Sequence, residues 1–191
     1  MALVPLAVEH VDGLASAGAE DRTTYEWTWV PDGTADAAAY VDLALKQRVA
    51  GRRIPFAVLD PAGRVVGSTS YFPEYHAWDV QTGRPDAVEI GATWYAASVQ
   101  RTALNTEAKL LLLTHAFEHW QVARVCLKTD ALNRRSRDAI ERVGARFEGV
   151  LRHHMPAYGR AGLRDSAYYS ILPDEWPAVR RQLEARPGHH S

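Results

Sequence analysis

The sequence predicts a single α/β (α+β) domain built around a mixed sheet. Its 191 residues suit one domain better than two, and a hydrophobic fraction of 47% is enough to bury a sizeable core. Strand patterns come first along the chain, and a strand–helix–strand unit runs from Ala87 to Thr129. Because such units join their strands through a right-handed crossover, we expect these two strands to be parallel. We assign residues 1–186 to this domain and 187–191 to a frayed tail.

The first half of the chain carries the signals of one strand, one helix and one hairpin. The predicted elements are a strand over 3–8, a helix over 33–51, and a hairpin formed by 54–60 and 63–72. The helix has Thr34 as its expected cap and Gly51 at its end. Its expected buried stripe consists of Ala38, Val41, Ala44, Leu45 and Val49. Tyr25, Trp27 and Trp29 alternate, so they share one face if their segment is extended.

The second half alternates strands and helices and closes with a hairpin and a helix. The predicted order is strand 87–95, helix 105–120, strand 124–130, helix 133–144, a hairpin of 145–154 with 164–172, and helix 173–185. The buried face of the first of these helices is expected to contain Leu110, Leu113, Phe117 and Trp120. The segment 73–85 is polar and aromatic, and it is predicted to be a loop.

Charge, cysteine content and hydropathy exclude several classes of protein. A formal net charge of −1 argues against a nucleic-acid binder that relies on a global basic field. The single cysteine, Cys126, cannot form an internal disulfide and is expected to fill the core. No apolar run approaches the roughly 18 residues that span a bilayer. The N-terminus meets Glu9 and Asp12 early, unlike a signal peptide. We therefore expect a cytoplasmic protein without a membrane or nucleic-acid partner.

Metal and nucleotide motifs are absent from the sequence. His115 and His119 stand four residues apart on a predicted helix, but no third ligand lies nearby in the sequence and no HExxH pattern occurs. Neither the phosphate-binding pattern GxxxxGK[ST] nor the dinucleotide pattern GxGxxG is present. We predict that the protein binds no metal.

The passage from the strand over 87–95 into the helix at Asn105 has the character of an anion site. A helix N-terminus leaves backbone amides without partners and carries the positive end of the helix dipole. Where a strand leads directly into such a helix, these amides face the crevice at the end of the sheet, and this geometry suits phosphate. The alternative is a plain loop that Thr102 or Asn105 caps.

The chain resembles the GNAT superfamily of acyl-CoA-dependent N-acetyltransferases in two stretches, EIGATWYAASVQRTALNTEAKLLLLTHAFE and RVCLKTDALNRRSRDAIERVGARFEGVLR. More narrowly, it is similar to the branch of the ribosomal-protein alanine acetyltransferases (RimJ/RimL-like). The resemblance covers most of the chain and is strongest from Val88 to Trp176. It implies a GNAT-like fold, in which the central sheet splays in the middle, helices cover both faces, and acetyl-CoA lies in the gap.

The family signature for the pyrophosphate loop is Gln or Arg, two residues, Gly, one residue, then Gly or Ala. The resemblance implies that the coenzyme contacts Gln100, Arg101, Thr102, Ala103, Leu104, Asn105 and Thr106. Gln100 fits the signature, whereas Ala103 and Asn105 replace its small residues. A positive φ at these positions costs roughly 1 kcal/mol for alanine and less for asparagine. We therefore expect the loop to stay in ordinary φ/ψ space and to point its amides outward, with Thr102 or Asn105 as an extra donor.

The resemblance also assigns coenzyme contacts to the helix over 133–144. It implies that Asn133 touches the pantetheine arm and that Ser136 lies near the sulfur, and residues three apart share a helical face. Many family members place a tyrosine general acid seven residues after this asparagine, but this chain has Ile140 there. The departing CoA thiolate would then be stabilised by Ser136, by water or by another residue. Arg134, Arg135 and Arg137 are candidates for the 3′-phosphate of CoA, and Arg137 is the one that we assign as a coenzyme contact. The alternative is that Asn133 only caps the helix, Ser136 is solvated and the arginines form a solvated surface.

Direct acetyl transfer needs an unprotonated amine, so the site requires a base or a desolvating pocket. Glu89 is the first candidate because it lies in the strand expected to line the cleft, on one face with Gly91, Thr93 and Tyr95. The alternative is an edge carboxylate paired with an arginine. The reserve candidates are Glu74 and His76. The proposed walls of the acceptor pocket are Trp27, Trp29, Tyr71 and His76, although aromatic stripes also build cores.

The function that the resemblance implies is transfer of an acetyl group from acetyl-CoA directly to a primary amine, either a protein N-terminus or a small molecule. A second hypothesis is a CoA-binding sensor or partner-binding domain that no longer catalyses, because the loop is altered and Ile140 replaces the tyrosine. Related proteins often dimerise, which leaves a homodimer open.

Overall fold

The computed structural model describes residues 1–74 and 84–185, which fold around one seven-stranded sheet. The strands are β1 (Ala2–Pro5), β2 (Ile54–Leu59), β3 (Val65–Glu74), β4 (Ala87–Tyr95), β5 (Arg124–Asp130), β6 (Arg146–Pro156) and β7 (Leu163–Ile171). The helices are α1 (Val11–Ala19), α2 (Gly33–Val49), α3 (Leu104–Thr114), α4 (Arg134–Val143) and α5 (Trp176–Glu184). The mixed sheet predicted from the sequence is confirmed. The predicted tail, 187–191, lies outside the described residues.

The sheet opens between its two central parallel strands. The strand order is β1-β2-β3-β4-β5-β7-β6, and only β4 and β5 are parallel neighbours in the described sheet. Their pairing covers three residue pairs: Ala87 with Arg124, Val88 with Val125, and Glu89 with Cys126. Beyond Glu89 the strands part, and we call the gap between them the β4–β5 cleft. The splayed sheet implied by the family resemblance is confirmed.

A β-bulge in β4 changes which side chains face the same way. Ser70 of β3 pairs with Gly91, but Ser68 pairs with Trp94, so β4 holds one residue too many between them. The extra residue is Ala92, whose φ of 47° marks the bulge. Glu89 and Gly91 therefore share a face, as predicted. Thr93 turns to the other face, where its hydroxyl accepts a hydrogen bond from the α3 residue Lys109 over 3.3 Å. The period of two fails for Thr93 because the bulge shifts it by one position.

Helices cover both faces of the sheet, as the resemblance implied. One hydrophobic cluster joins α3, α4 and α5 to β4, β5 and β7, and a second joins α1 and α2 to β2 and β3. Cys126 is 8% exposed, in agreement with the expected core position. No helix within residues 1–74 and 84–185 is long and apolar enough to cross a membrane.

The N-terminal region contains a helix that the sequence did not predict. In α1, Gly13 and Gly18 leave room for the backbone to approach its neighbours, since a Cβ would stand 2.7 Å from Val65 and 2.5 Å from the Pro31 carbonyl. Glycine lowers helix propensity, and for this reason the sequence pattern did not predict a helix here. The following aromatic segment is not extended, because Asp21 caps a short helical turn over Arg22–Tyr25.

Helix α2 is confirmed, but its buried face differs from the predicted stripe. Its buried residues are Ala37, Tyr40, Val41 and Ala44, whereas Val49 is 91% exposed. The shift occurs because Tyr40 points inward and its hydroxyl donates to Ser68 Oγ over 2.9 Å. The predicted Thr34 cap is wrong, because the helix begins at Gly33 and Asp32 occupies the N-cap position, where its backbone amide donates to the Asp36 carboxylate.

Candidate active site

The start of α3 presents backbone amides that no group in the described part of the protein accepts. The Leu104 amide donates to Thr102 Oγ1 over 3.3 Å. The next two amides, those of Asn105 and Thr106, have no acceptor within the described parts of the chain. They lie at the positive end of the helix dipole, and α3 follows β4, which borders the cleft. This arrangement stabilises an anion.

The loop before α3 has one residue in the left-handed conformation, Arg101. The two positions that depart from the family signature, Ala103 and Asn105, have ordinary conformations. Ala103 has a φ of −66°, and Asn105 lies in the regular helix, so neither position needs glycine. Arg101 has a φ of 63°. The expectation of ordinary φ/ψ space is therefore wrong at Arg101, where the chain changes direction between the short turn Ala97–Val99 and α3. The left-handed conformation costs about 1 kcal/mol.

Gln100 braces the loop through its side chain. Its Nε2 donates to the Tyr95 carbonyl over 2.9 Å and to Thr24 Oγ1 over 3.1 Å. Arg135 reaches across from α4 and donates to the Thr24 carbonyl over 2.9 Å and to Gln100 Oε1 over 3.5 Å. These bonds link the segments that follow β4 and β5. Sequence reasoning did not distinguish Arg135 from its neighbours, because a charge run does not show which arginine turns inward.

The predicted residues of α4 have clear structural partners. Asn133 Oδ1 accepts the backbone amide of Ser136 over 3.0 Å, so Asn133 is the helix cap. Arg137 Nε donates to Tyr169 OH over 2.9 Å, and its Nη1 donates to a backbone carbonyl over 3.3 Å. Arg137 is thus held against the sheet, and Arg135 is the arginine that reaches the loop. Coenzyme contacts of Asn133 and Ser136 remain predictions.

Glu89 stands where β4 and β5 part, and it is paired with a lysine. Its Oε2 lies 2.6 Å from Lys128 Nζ, and the two side chains are only 13% and 21% exposed. Burial opposes the charge on Lys128, but the Glu89 carboxylate outweighs this effect, and the pKa of Lys128 is raised. The partner is therefore a lysine of β5 and not an arginine. Glu89 Oε1 takes no part in this pair and lies over Gly91, next to the ring of Phe72.

A polar network continues from Lys128 towards β6. Lys128 Nζ lies 5.7 Å from the centre of the Tyr168 ring. Tyr168 OH is 3.2 Å from His154 Nε2, and His154 Nδ1 is 3.0 Å from Ser166 Oγ. Burial lowers the pKa of His154, and the charges of Lys128 and Arg164 lower it further. The sequence did not select His154, because only the β6–β7 register places it against Tyr168.

The turn between β6 and β7 contacts the segment before α2 near this network. The guanidinium carbon of Arg160 lies 5.2 Å from the centre of the Trp27 ring. The same side chain places Nη2 2.6 Å from Asp130 Oδ2, at the end of β5. Trp27 therefore lies near the carboxyl end of β5. Its contact with an acceptor remains a prediction.

Tyr71 does not line the face that carries Glu89. Phe72 pairs with Glu89 in the sheet, so Tyr71 points to the opposite face. There it is 1% exposed, its hydroxyl donates to the Leu112 carbonyl, and its ring packs 4.8 Å from that of Trp120. The predicted pocket role of Tyr71 is wrong, because neighbouring residues of a strand alternate between faces.

The remaining predicted site residues are Trp29, His76 and Glu74. Trp29 is 44% exposed and packs against Tyr40 of α2, with ring centres 5.7 Å apart. His76 lies outside the described residues. Glu74 ends β3 and pairs in register with Ala87. Within residues 1–74 and 84–185, no group of three His, Cys, Asp or Glu side chains could hold a metal ion.

A mixed sheet that parts between its parallel strands, beside a helix start with free amides, is the architecture that the resemblance implies for acyl-CoA-dependent acyltransferases. The chain belongs to the GNAT acetyltransferase family, because the model of the acetyltransferase (GNAT) domain matches residues 1–146.

Known proteins of this family are similar to the chain in sequence or in fold. The "Putative ribosomal N-acetyltransferase YdaF" of Bacillus subtilis (strain 168) is 35% identical over 88 residues, which span 46% of this chain and 46% of YdaF. A GCN5-related N-acetyltransferase from Brucella melitensis is 31% identical, with a TM-score of 0.80 over 99% of this chain and 84% of that one. Mycobacterium smegmatis RimJ, solved in complex with CoA-disulfide, shares the fold at 21% identity, with a TM-score of 0.78 over 96% of this chain and 87% of that one. The predicted membership of the GNAT superfamily is confirmed. The narrower resemblance to the ribosomal-protein branch stays a prediction, with which the partial similarity to YdaF agrees.

Proposed function

We propose that the protein transfers the acetyl group of acetyl-CoA directly to a primary amine. The observation that carries this proposal is the position of Glu89, the last residue of β4 that pairs with β5. It places a carboxylate at the apex of the cleft, while the free amides of Asn105 and Thr106 follow the far end of β4. Family membership supports acetyl-CoA as the co-substrate.

The residues at the start of α3 fit the diphosphate of coenzyme A. The amides of Asn105 and Thr106, at a positive helix end, are two donors without an acceptor among residues 1–74 and 84–185. The guanidinium of Arg135, hydrogen-bonded to Gln100 and Thr24, adds positive charge on the other side of the cleft. We assign the 3′-phosphate role of Arg137 to Arg135, because Arg135 reaches the loop before α3, whereas Arg137 is held against the sheet. Asn133 and Ser136 are proposed to face the pantetheine arm and the sulfur.

Acetyl-CoA supplies an activated acyl group when bound, and the chain supplies proton acceptance and alignment. The pKa of an α-amine is about 8 and that of an ε-amine is about 10.4, so most of the acceptor is protonated at neutral pH. Glu89 is proposed to take this proton through Oε1, directly or through a water, while Lys128 holds Oε2. The β4 amides beyond Glu89, which no longer meet β5, are proposed to polarise the thioester carbonyl. Ser136 is the proposed hydrogen-bond donor to the sulfur, because Ile140 cannot donate a proton.

Two acceptor classes fit this proposal, a protein N-terminus and a small amine. The ribosomal name of YdaF supports the first. We propose one acyltransferase domain over 1–186 that works in the cytoplasm, and we leave a homodimer as part of the hypothesis. An inactive CoA-binding sensor is not favoured, since the carboxylate and the free amides are both in place.

The proposal is tested by thiol detection of CoA release from acetyl-CoA in the presence of amines. The panel contains a ribosomal-protein N-terminal peptide, free amino acids and lysine derivatives. We expect release that depends on the acceptor and saturates with it. Binding of CoA without acceptor-dependent release from any of these amines would contradict the proposed function.

Gly91 provides a test of the position of Glu89. A Cβ at Gly91 would lie 2.7 Å from Glu89 Oε1 and 3.3 Å from Phe72 Cε2, so Gly91→Ala should displace the carboxylate. The φ of Gly91 is not positive, so alanine adds no backbone strain. We expect kcat to fall about 10- to 100-fold while the affinity for CoA is retained, as for a misplaced catalytic group. An unchanged kcat in a folded variant would show that Glu89 Oε1 does not act where the structure places it.

A further inference from the structure

Arg164 of β7 lies on the polar face beside the cleft, and no carboxylate in the described structure is paired with it. Ser166 pairs with Asp130 of β5, and Arg164, two residues earlier, lies on the same face of the sheet. Arg164 Nε donates to Ser166 Oγ over 3.2 Å, a neutral acceptor. Its side chain is half-buried, and among the described residues no carboxylate lies within ion-pair distance of it.

The groups around Arg164 belong to the candidate active site. Burial lowers the pKa of its guanidinium, and the charged groups that act on it are Asp130, Glu89 and Arg160. The Tyr168 hydroxyl, whose pKa burial raises, is a neutral neighbour. Both carboxylates already have cationic partners, since Glu89 binds Lys128 and Asp130 binds Arg160. This part of the described structure therefore contains three cations, Lys128, Arg160 and Arg164, but only two carboxylates. One positive charge has no compensating negative charge. Burying a guanidinium without a neighbouring anion costs free energy, and a bound ligand that carries a negative charge would remove this cost.

We propose that Arg164 binds a carboxylate of the acceptor, close to the amine that receives the acetyl group. This inference rests on the proposed function and narrows its acceptor to amines that carry a carboxylate nearby. The planar guanidinium suits a carboxylate because it donates two parallel hydrogen bonds, and Nε–H already holds the group in orientation through Ser166. The carboxylate comes either from a free α-amino acid or from an acidic side chain near a peptide N-terminus.

Matched acceptors separate these two sources. The first pair is alanine and alaninamide, and the second is the C-terminally amidated peptides Ala-Asp-Ala and Ala-Asn-Ala. The wild-type protein is expected to prefer the carboxylated member of one pair by about 10- to 100-fold in kcat/KM. Dissociation constants from calorimetry on the protein saturated with CoA should show the same preference. Preference in the first pair assigns the amino acid, and preference in the second assigns the acidic peptide.

Substitutions then assign the preference to Arg164. Arg164→Gln is expected to bring the ratio within each pair close to one, and Arg164→Lys is expected to restore part of it. Arg181→Gln, an exposed arginine of α5, is the matched control and should keep the wild-type ratio. Thermal unfolding of each variant verifies that it is folded, and the wild-type ratio tests the proposal even if Arg164→Gln does not fold.

The outcomes of these measurements test the role of Arg164 and the proposed acetyl transfer separately. Ratios near one in both pairs for the wild-type protein, or a ratio that Arg164→Gln preserves, would overturn the inference about Arg164. CoA release would still support the proposed function in that case. Preferential binding of carboxylated acceptors without any CoA release would support Arg164 as an anion site and contradict acetyl transfer.

Discussion

Glu89→Gln is expected to lower kcat at neutral pH by about 100-fold or more, because a glutamine cannot accept the proton of the attacking amine. Activity should partly return as the pH rises towards the pKa of the acceptor, since more of the amine is then unprotonated without help. The KM for acetyl-CoA should change little, because the free amides follow the other end of β4. The measurement is the pH–rate profile of both proteins with one acceptor.

The ion pair calls for a matched control. Glu89→Gln also leaves the Lys128 ammonium, about a fifth exposed, without its carboxylate, and breaking a buried pair destabilises proteins by up to about 3–5 kcal/mol. Lys128→Gln removes the other partner but keeps the proposed base, so it should retain more activity than Glu89→Gln. Urea unfolding of both variants separates stability from catalysis. A folded Glu89→Gln protein with the wild-type pH–rate profile would remove Glu89 as the base.

Asn105→Pro is expected to weaken CoA binding by about 10- to 100-fold. Proline lacks the amide hydrogen that we assign to the diphosphate, yet it is tolerated in the first turn of a helix. Asn105 is the second residue of α3, so the helix should survive the change. A hydrogen bond to a charged group contributes about 1.5–3 kcal/mol, which corresponds to this loss. Calorimetric titration with CoA measures it.

Asn105→Ala is the control for the side chain, because alanine keeps the amide. It should bind CoA within about threefold of the wild-type protein, as expected for a substitution that removes no structural bond. Equal losses in Asn105→Pro and Asn105→Ala would assign the effect to the asparagine side chain. Wild-type affinity in Asn105→Pro would exclude this amide as a phosphate donor.

Much of the fold was predictable because its central elements have simple patterns. β4 and β5 occupy the predicted ranges, Ala87–Tyr95 and Arg124–Asp130, since each is a short apolar run with polar flanks. Helix α4 was equally clear, with Asn133 as its cap and Gly144, at a φ of 104°, after its end. Helix α1 was missed because its glycines allow close packing but weaken its helical pattern.

The candidate site was less predictable because it depends on register. The sequence selected Glu89, but it could not select Lys128 or His154, which reach their partners only through strand pairing. It placed Tyr71 in the pocket because periodicity does not tell which face of a buried strand is which. The bulge at Ala92 is likewise a local backbone event that no pattern of side chains indicated.

The central claim is that the amides at the start of α3 hold the diphosphate of coenzyme A. Titration of the ¹⁵N-labelled protein with CoA, followed by amide chemical shifts, tests it most directly. We predict that the largest shifts fall on residues Thr102 to Thr106 and that they saturate together. Saturable binding that leaves these amides unchanged while others move would contradict the claim.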